Sequence, residues 1–397
     1  MKTLPAQEMG ITAVNDDHYQ TLSFDARGER LHIVAKPGVF GWQRVDPATS
    51  LLIESMRVDP GDTVLDLGCG YGLVGLAAAK MTAPSQVYLV DHNVVAVECA
   101  RRTLAGNDVP AAHALASDCT SAVRGIAFDL IVSHLPRGKE TAHQFIIDAA
   151  TLLKTGGRLY IAGRNNTGVK PSVKFAHAVF GNSRVLAYKK GGRVAMCIKN
   201  ECTSPPASDY YQWREFEGQI GEQTWRIATK PGVFSWRRLD EGTRALIETM
   251  DIRPGETVLD IGCGCGIIGA AAAKTAAQVD LVDSNIIAVE AARRTLALNE
   301  IANAEVYPSD GIAAVRDKTF DVVVTNPPFH QGRATDYYVA HQFIRDAARV
   351  LKARGRLYVV ANRFIRYERQ MEQCLQTVRV AYEDRRFRVL LGQRPRW

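Results

Sequence analysis

Apolar residues fall in short, nearly unbroken runs separated by stretches with helical spacing. In the second half of the chain, Thr257–Ile261, 279–282, Phe320–Thr325 and 356–361 are such runs. Runs of this length without alternation predict strands buried on both faces, as in a parallel sheet. Between them lie an Ala-rich helix predicted over 266–274, a helix over Ile286–Leu298 capped by Ser284 or Asn285, and a helix over 340–351. Strand alternating with helix predicts an α/β fold in which helices cover both faces of a mostly parallel sheet.

The first half predicts the same order of elements because the chain repeats itself. Lys36-Pro-Gly-Val-Phe-Gly-Trp-Gln-Arg44 returns as Lys230-Pro-Gly-Val-Phe-Ser-Trp-Arg-Arg238. Thr63-Val-Leu-Asp-Leu-Gly-Cys-Gly70 returns as Thr257-Val-Leu-Asp-Ile-Gly-Cys-Gly264, and His143-Gln-Phe-Ile146 as His341-Gln-Phe-Ile344. A spacing near 194 residues is that of a duplicated domain, far longer than a solenoid repeat. Domains are expected over 1–200 and 210–397, joined by a polar linker over 201–209 with Pro205-Pro206 inside it.

At 397 residues, each half is long enough for its own core. No apolar run reaches membrane-spanning length, and the N-terminus shows no signal-peptide pattern, so a cytoplasmic protein is expected. The eight cysteines form no CxxC pair or His-containing zinc pattern, which predicts reduced thiols and no metal. Net charge is +7, with 22 Lys/Arg against 17 Asp/Glu in residues 1–200 and 27 against 25 in the rest. The basic excess fits a polyanionic partner and leans toward the first half.

Two segments carry chemistry. Asp260-Ile-Gly262-Cys263-Gly264-Cys-Gly266 joins a strand to a helix. Glycines there let the backbone approach a ligand, and Asp283 at the end of the next strand is placed to bond ribose hydroxyls. Asp310, after a further strand, is placed to accept an adenine amino group. A dinucleotide-binding dehydrogenase also has glycines and an acidic residue at similar spacing, but its fingerprint is GxGxxG. The second segment is Asn326-Pro327-Pro328-Phe329-His330, directly after the strand Phe320–Thr325. Two prolines fix the backbone and remove two N–H donors. Carbonyls and the Asn oxygen are then free to receive a flat group with an exocyclic amine, at the strand ends where open α/β folds bind ligands.

Together these motifs resemble class I S-adenosylmethionine-dependent methyltransferases. Asn-Pro-Pro-Phe-His330-Gln-Gly, the upstream Pro231-Gly-Val-Phe-Ser235 and the tandem arrangement narrow the resemblance to bacterial ribosomal RNA guanine-N2 methyltransferases. That family has a small-subunit and a large-subunit member. His330-Gln-x-x-Ala334-Thr-Asp336 and Asn362-Arg363 look more like the large-subunit member. The resemblance implies two Rossmann-like domains, S-adenosylmethionine as cofactor, and ribosomal RNA or a ribosomal assembly intermediate as partner. It also implies catalysis by the second domain, with Asn326 and Pro327 accepting the amine's N–H bonds, Phe329 stacking on the base, and His330 contacting the base or taking a proton. The cofactor would lie on Asp260, Gly262, Cys263, Gly264, Gly266, Asp283, Asp310 and Asn326, with Phe234 and Asp240 closing over it.

In that family the first domain is a degenerate copy. Here Ser133-His-Leu-Pro-Arg-Gly138 replaces Thr325-Asn-Pro-Pro-Phe-His330, which predicts no amino methylation by the first half. Asp66, Gly68, Gly70, Gly72, Asp91 and Asp118 nevertheless survive there, although the family's first domain has usually lost this loop. A second cofactor site and a loop kept only for folding are both open on sequence. Three rival activities share some of these features: protein-glutamine methylation, DNA amino methylation, and non-catalytic RNA binding during assembly. Arg137, Lys139, Lys170, Lys174, Lys189, Lys190 and Arg193 make the first half the expected RNA-holding part.

Overall fold

The computed structural model describes residue 14 and residues 17–328 and 334–396. It divides the chain into two compact units between Tyr211 and Gln212. The expected second domain began at Tyr210; instead Tyr210 joins the core of the first unit, and Tyr211 packs against it. The Tyr211 hydroxyl donates to Asp148, and Ser208 reaches Gln144 at 2.5 Å, so the end of the linker is anchored on the first unit's surface helix.

In the first unit a hairpin of β1 (Gln20–Ala26) and β2 (Glu29–Ala35) precedes α1 (Pro47–Ser55). Then follow β3 (Val64–Leu67), α2 (Leu73–Ala79), β4 (Val87–Asp91), α3 (Val94–Ala105), β5 (His113–Ala116) and β6 (Phe128–His134). The unit closes with α4 (Lys139–Leu152), β7 (Leu153–Arg164), α5 (Val169–Phe180), β8 (Arg184–Lys189) and β9 (Gly192–Ile198). Strand order is β5-β4-β3-β6-β7-β9-β8, parallel except for the last two pairings.

The second unit repeats this plan. A hairpin of β10 (Arg214–Ile220) and β11 (Gln223–Thr229) leads to α6 (Glu241–Thr249), β12 (Thr257–Ile261), α7 (Ile267–Ala273), β13 (Gln278–Asp283) and α8 (Ile286–Leu298). Next come β14 (Ala304–Pro308), β15 (Phe320–Thr325), α9 (Ala334–Val350) and β16 (Leu351–Asn362). The short α10 (Glu368–Glu372), β17 (Thr377–Glu383) and β18 (Phe387–Gln393) complete it. The sheet runs β14-β13-β12-β15-β16-β18-β17. The helix expected over 340–351 starts earlier, at Ala334, and the strand expected over 356–361 starts at Leu351.

Successive side chains of one strand point to opposite faces. Val258, Val322, Val324, Tyr358 and Val360 pack with α6, α7 and α8 on one side. Leu259, Ile261, Val323, Leu357 and Val359 pack with Ala340, Ile344 and Ala347 of α9 and Met371 of α10 on the other. A sheet covered twice needs apolar residues at every strand position, which is why the runs do not alternate. The order reverses between β12 and β15. The carboxyl ends of β12, β13, β14 and β15 therefore open around one crevice at this switch point.

Candidate active site

Each glycine loop is tied down by the same bonds. In the second unit the Gly262 and Cys263 amides donate to the Val282 carbonyl at 2.8 and 3.0 Å, and the Gly266 amide to the Cys263 carbonyl at 2.8 Å. The Gly264 amide donates to Asp283 Oδ2 at 2.9 Å, while Asp283 Oδ1 receives the Asn285 amide at 2.9 Å. Asn285 itself caps α8 by accepting from the Ile287 amide. Asp283 thus binds its own helix entry to the loop before it. Ser309 is hydrogen-bonded to the Asp283 carbonyl, which sets Asp310 beside it at the end of β14.

Two of the glycines are forced by packing. A Cβ on Gly266 would stand 2.6 Å from Ala292 Cβ, and one on Gly262 2.9 Å from the Phe343 ring. Gly264 is different: a Cβ there would meet nothing among the described residues within 4 Å. Its open side is the face a ligand would occupy.

Asp260 is fully buried, and its Oδ2 accepts the Gly269 amide at 3.0 Å. Burial, with a smaller contribution from the Asp283 charge, pushes its carboxyl up to about 7. Its Oδ1 has no hydrogen-bond partner among the described residues. Burial likewise raises the Cys263 thiol well above its ordinary value and Cys265 to about 11, so both stay protonated. All eight cysteines are free thiols.

The acceptor corner is oriented by a residue 86 positions away. Asp240 caps α6, its Oδ2 accepting the Thr243 amide at 2.8 Å. The same oxygen accepts from Asn326 Nδ2 at 3.3 Å, and Thr243 Oγ1 accepts from that nitrogen at 2.9 Å. A carboxylate can only accept, so it dictates which end of the amide faces it. Asn326 Oδ1 is left pointing away, buried and without a partner among the described residues. Thr325 Oγ1 anchors the strand end to the Ile261 carbonyl at 2.7 Å. Sequence reasoning placed Asp240 over the cofactor; the structure uses its side chain as helix cap and amide clamp. Phe329 and His330 lie outside the described residues. Phe234 is 56% exposed.

In the first unit the corner is plugged. His134 occupies the position of Asn326 in the strand alignment, and its Nδ1 lies 2.8 Å from Thr49 Oγ1. The Phe40 ring meets it edge-on at 5.0 Å, and burial lowers its pKa. Asp46, the counterpart of Asp240, pairs with Arg164 at 2.7 Å. The carbonyl-type side-chain acceptor is gone and its partners are engaged elsewhere.

Among the arginines near the end of the second half, Arg388 is buried between Glu368 and Glu383. Arg363 pairs with Glu383, Arg366 with Glu368 and Arg386 with Glu241. Tyr367 beside them is 1% exposed and belongs to the core. In the first unit Lys139, Lys170, Lys174, Lys189 and Lys190 are exposed. A cleft of about 530 Å³ there is lined by Arg44, Glu54, Lys189 and Lys190 among others, and by no residue of either glycine loop. Among the described residues no group of His, Cys, Asp and Glu could hold a metal ion, and no helix is long and apolar enough to cross a membrane.

Comparison with known proteins matches this arrangement twice over. A family model described as the methyltransferase small domain fits residues 30–195 and again 224–391. A ribosomal RNA small subunit methyltransferase C from Hahella chejuensis is 37% identical over 265 residues, 66% of this chain and 76% of the relative. One from Stutzerimonas stutzeri is 35% identical over 66% of this chain and 78% of the relative. A solved structure of the Thermus thermophilus 16S rRNA N2 G1207 methyltransferase, in complex with AdoMet and guanosine, superposes with a TM-score of 0.80. It is 28% identical and covers 98% of this chain and 100% of its own. These relatives are small-subunit enzymes, whereas the segment after Asn326 had suggested the large-subunit member. The chain belongs to the methyltransferase small domain family, in a tandem form that carries the domain twice.

Proposed function

We propose that the protein methylates the exocyclic N2 of a guanine in ribosomal RNA, using S-adenosylmethionine bound by the second unit. The observation that carries this reading is Asn326 Oδ1, a buried acceptor turned away from Asp240 and without a partner among the described residues, which suits an N–H donor from a substrate. An amino group on a flat ring is such a donor. The relatives' names, and the AdoMet and guanosine of the Thermus thermophilus complex, support the same chemistry.

The residues fit the cofactor. Gly264 offers an open cradle, and Asp283 and Asp310 stand at the ends of adjacent strands as acceptors for ribose and adenine. Asp260 Oδ1, buried and unsatisfied, suits the ammonium of an amino-acid tail, whose charge would favour the carboxylate. S-adenosylmethionine supplies an already activated methyl group when bound.

The chain's task is then the acceptor. A guanine N2 lone pair is spread into the ring and attacks poorly. Asn326 Oδ1 and the Pro327 carbonyl, each accepting one N–H bond, would hold the nitrogen with its lone pair toward the methyl group. Positioning of this kind, with acceptors preorganised for the positive charge that grows on the nitrogen, supplies most of the rate. The nitrogen loses its extra proton after transfer. The base must be splayed out of its stack to reach the corner, which single-stranded RNA allows at low cost.

The first unit, with its exposed lysines, is the part we assign to holding RNA. This reading places the protein in the cytoplasm, with the ribosomal subunit or an assembly intermediate as partner. The test is transfer of labelled methyl to RNA from cells lacking the protein, followed by digestion to nucleosides. Label in N2-methylguanosine that disappears with Asn326→Ala is expected. Label in protein would replace the reading with glutamine methylation, and no label in any fraction would leave only an RNA-binding role.

A further inference from the structure

We propose that the first unit holds a second molecule of the same ligand class, a nucleoside carrying an amino-acid tail, in a site that cannot transfer its methyl group. The inference rests on the reading of S-adenosylmethionine as the second unit's cofactor.

The first argument is the geometry of the loop. The Gly68 and Cys69 amides donate to the Val90 carbonyl at 2.9 and 3.0 Å, and the Gly72 amide to the Cys69 carbonyl at 2.9 Å. The Gly70 amide donates to Asp91 Oδ2 at 3.0 Å, and Asp91 Oδ1 accepts the Asn93 amide at 2.9 Å. Asp66 Oδ2 accepts the Gly75 amide at 2.8 Å. The Ser117 amide bonds the Asp91 carbonyl at 2.8 Å, placing Asp118 next to it. Every one of these bonds has its counterpart in the second unit within a few tenths of an ångström. Backbone torsions agree as well, with φ of +78°, +55° and +81° at Gly68, Gly70 and Gly72 against +73°, +55° and +77° at Gly262, Gly264 and Gly266.

The second argument separates a ligand site from a loop kept only for folding. Folding accounts for Gly68, whose Cβ would lie 2.9 Å from Phe145, and for Gly72, whose Cβ would lie 2.9 Å from Ala100 Cβ. It does not account for Gly70. A Cβ there would meet only Val39, at 3.9 Å. A φ of +55° favours glycine without demanding it, since Arg27, Lys190, Ser235 and Glu300 adopt φ between +50° and +57° in this same chain. Gly70 is thus the one glycine of this loop without a close packing neighbour among the described residues, as Gly264 is in the second unit. The Asp91 side chain, 12% exposed, keeps lone pairs for hydroxyl donors after accepting its two amides.

The third argument fixes what the site cannot do. His134, Thr49, Phe40 and the Asp46–Arg164 pair fill the corner that would present an amine. The ligand would be held without an acceptor beside it.

The test is calorimetric titration of the full chain with S-adenosylhomocysteine, for the wild type and for Asp91→Ala, Gly70→Val and Asp283→Ala, each checked by its melting curve. Two equivalents per chain in the wild type, and one in each variant, are expected. Gly70→Val fills the open side while leaving the Asp91 carboxylate and the Asn93 cap of α3 in place, so it decides the matter if Asp91→Ala does not fold. A single equivalent that Asp283→Ala abolishes and Gly70→Val leaves would overturn the second site and leave the proposed cofactor of the second unit standing. Two equivalents undiminished by Gly70→Val would also overturn it. No binding by the wild type would overturn both.

Discussion

The two glycine loops agree bond for bond, whereas the two strand ends facing them, at Asn326 and His134, share little but position. Both loops are built into the helix packing behind them, so drift there would cost stability in either unit. The strand-end side chain hydrogen-bonds instead to the start of an earlier helix, Asn326 to Asp240 and Thr243 and His134 to Thr49. It can change from an outward acceptor to an inward plug while the sheet stays intact. Both units have thus kept what packing demands, and Gly70 and Gly264 besides, while the acceptor at the strand end differs between them.

The sharpest way to break this contrast is Asn326→Ala. We expect methyl transfer to fall by about 10² to 10³-fold, the cost of removing one preorganised group aimed at developing charge, with the fold unchanged. His134→Ala should leave transfer intact. Single-turnover rates on RNA, with melting curves, check both; equal losses would sink the assignment of chemistry to the second unit.

Asp240→Asn comes next. An amide at that position no longer compels Asn326 to present its nitrogen, so roughly tenfold slower transfer is expected, about 1.4 kcal/mol on the barrier. Asp46→Asn, which breaks the corresponding pair with Arg164, should leave the rate unchanged. Full activity in Asp240→Asn would show that the cap does not orient the acceptor.

A stability comparison separates packing glycines from open ones. A Cβ on Gly269 would lie 2.4 Å from Leu281, so Gly269→Ala should destabilise by about 1–3 kcal/mol. Gly264→Ala meets no atom and carries only backbone strain, roughly 1 kcal/mol. Urea denaturation of the two variants ranks them; the reverse order would contradict the assignment.

The last comparison concerns protons. Burial disfavours the charged form and pushes the Asp66 and Asp260 carboxyls up to about 7 in the fold, from an ordinary 3.8. Between pH 4 and 7 the folded chain holds protons that the unfolded chain has lost. Their contribution to stability therefore falls as pH rises through that window and levels off above it. Asp66→Asn keeps an acceptor for the Gly75 amide and removes the titration. Relative to wild type it should gain stability between pH 5 and pH 8; a constant difference would mean that the group is already ionised at pH 5.

Much of this was legible along the chain. The unbroken apolar runs gave the strands, since a doubly covered sheet leaves no solvent face to mark. Asn285 was readable as a cap, because capping is local. The pairing of Asp240 with Asn326 was not, because it spans 86 residues and exists only once α6 is laid against β15. Nor was the burial of Arg388: it lies among polar neighbours, and only the β16–β18 pairing takes it inside.

By itself the sequence determined the class of fold, the duplication and the chemical types at the strand ends, since all three follow from residue identity and local spacing. Which end of the Asn326 amide faces outward, which glycines serve packing and which face open space, and whether a histidine can stand in for an acceptor were decided only by the tertiary structure. Each depends on a partner brought in from a distant part of the chain, and hydrogen bonding and steric exclusion act over distances in space, whatever the separation in sequence.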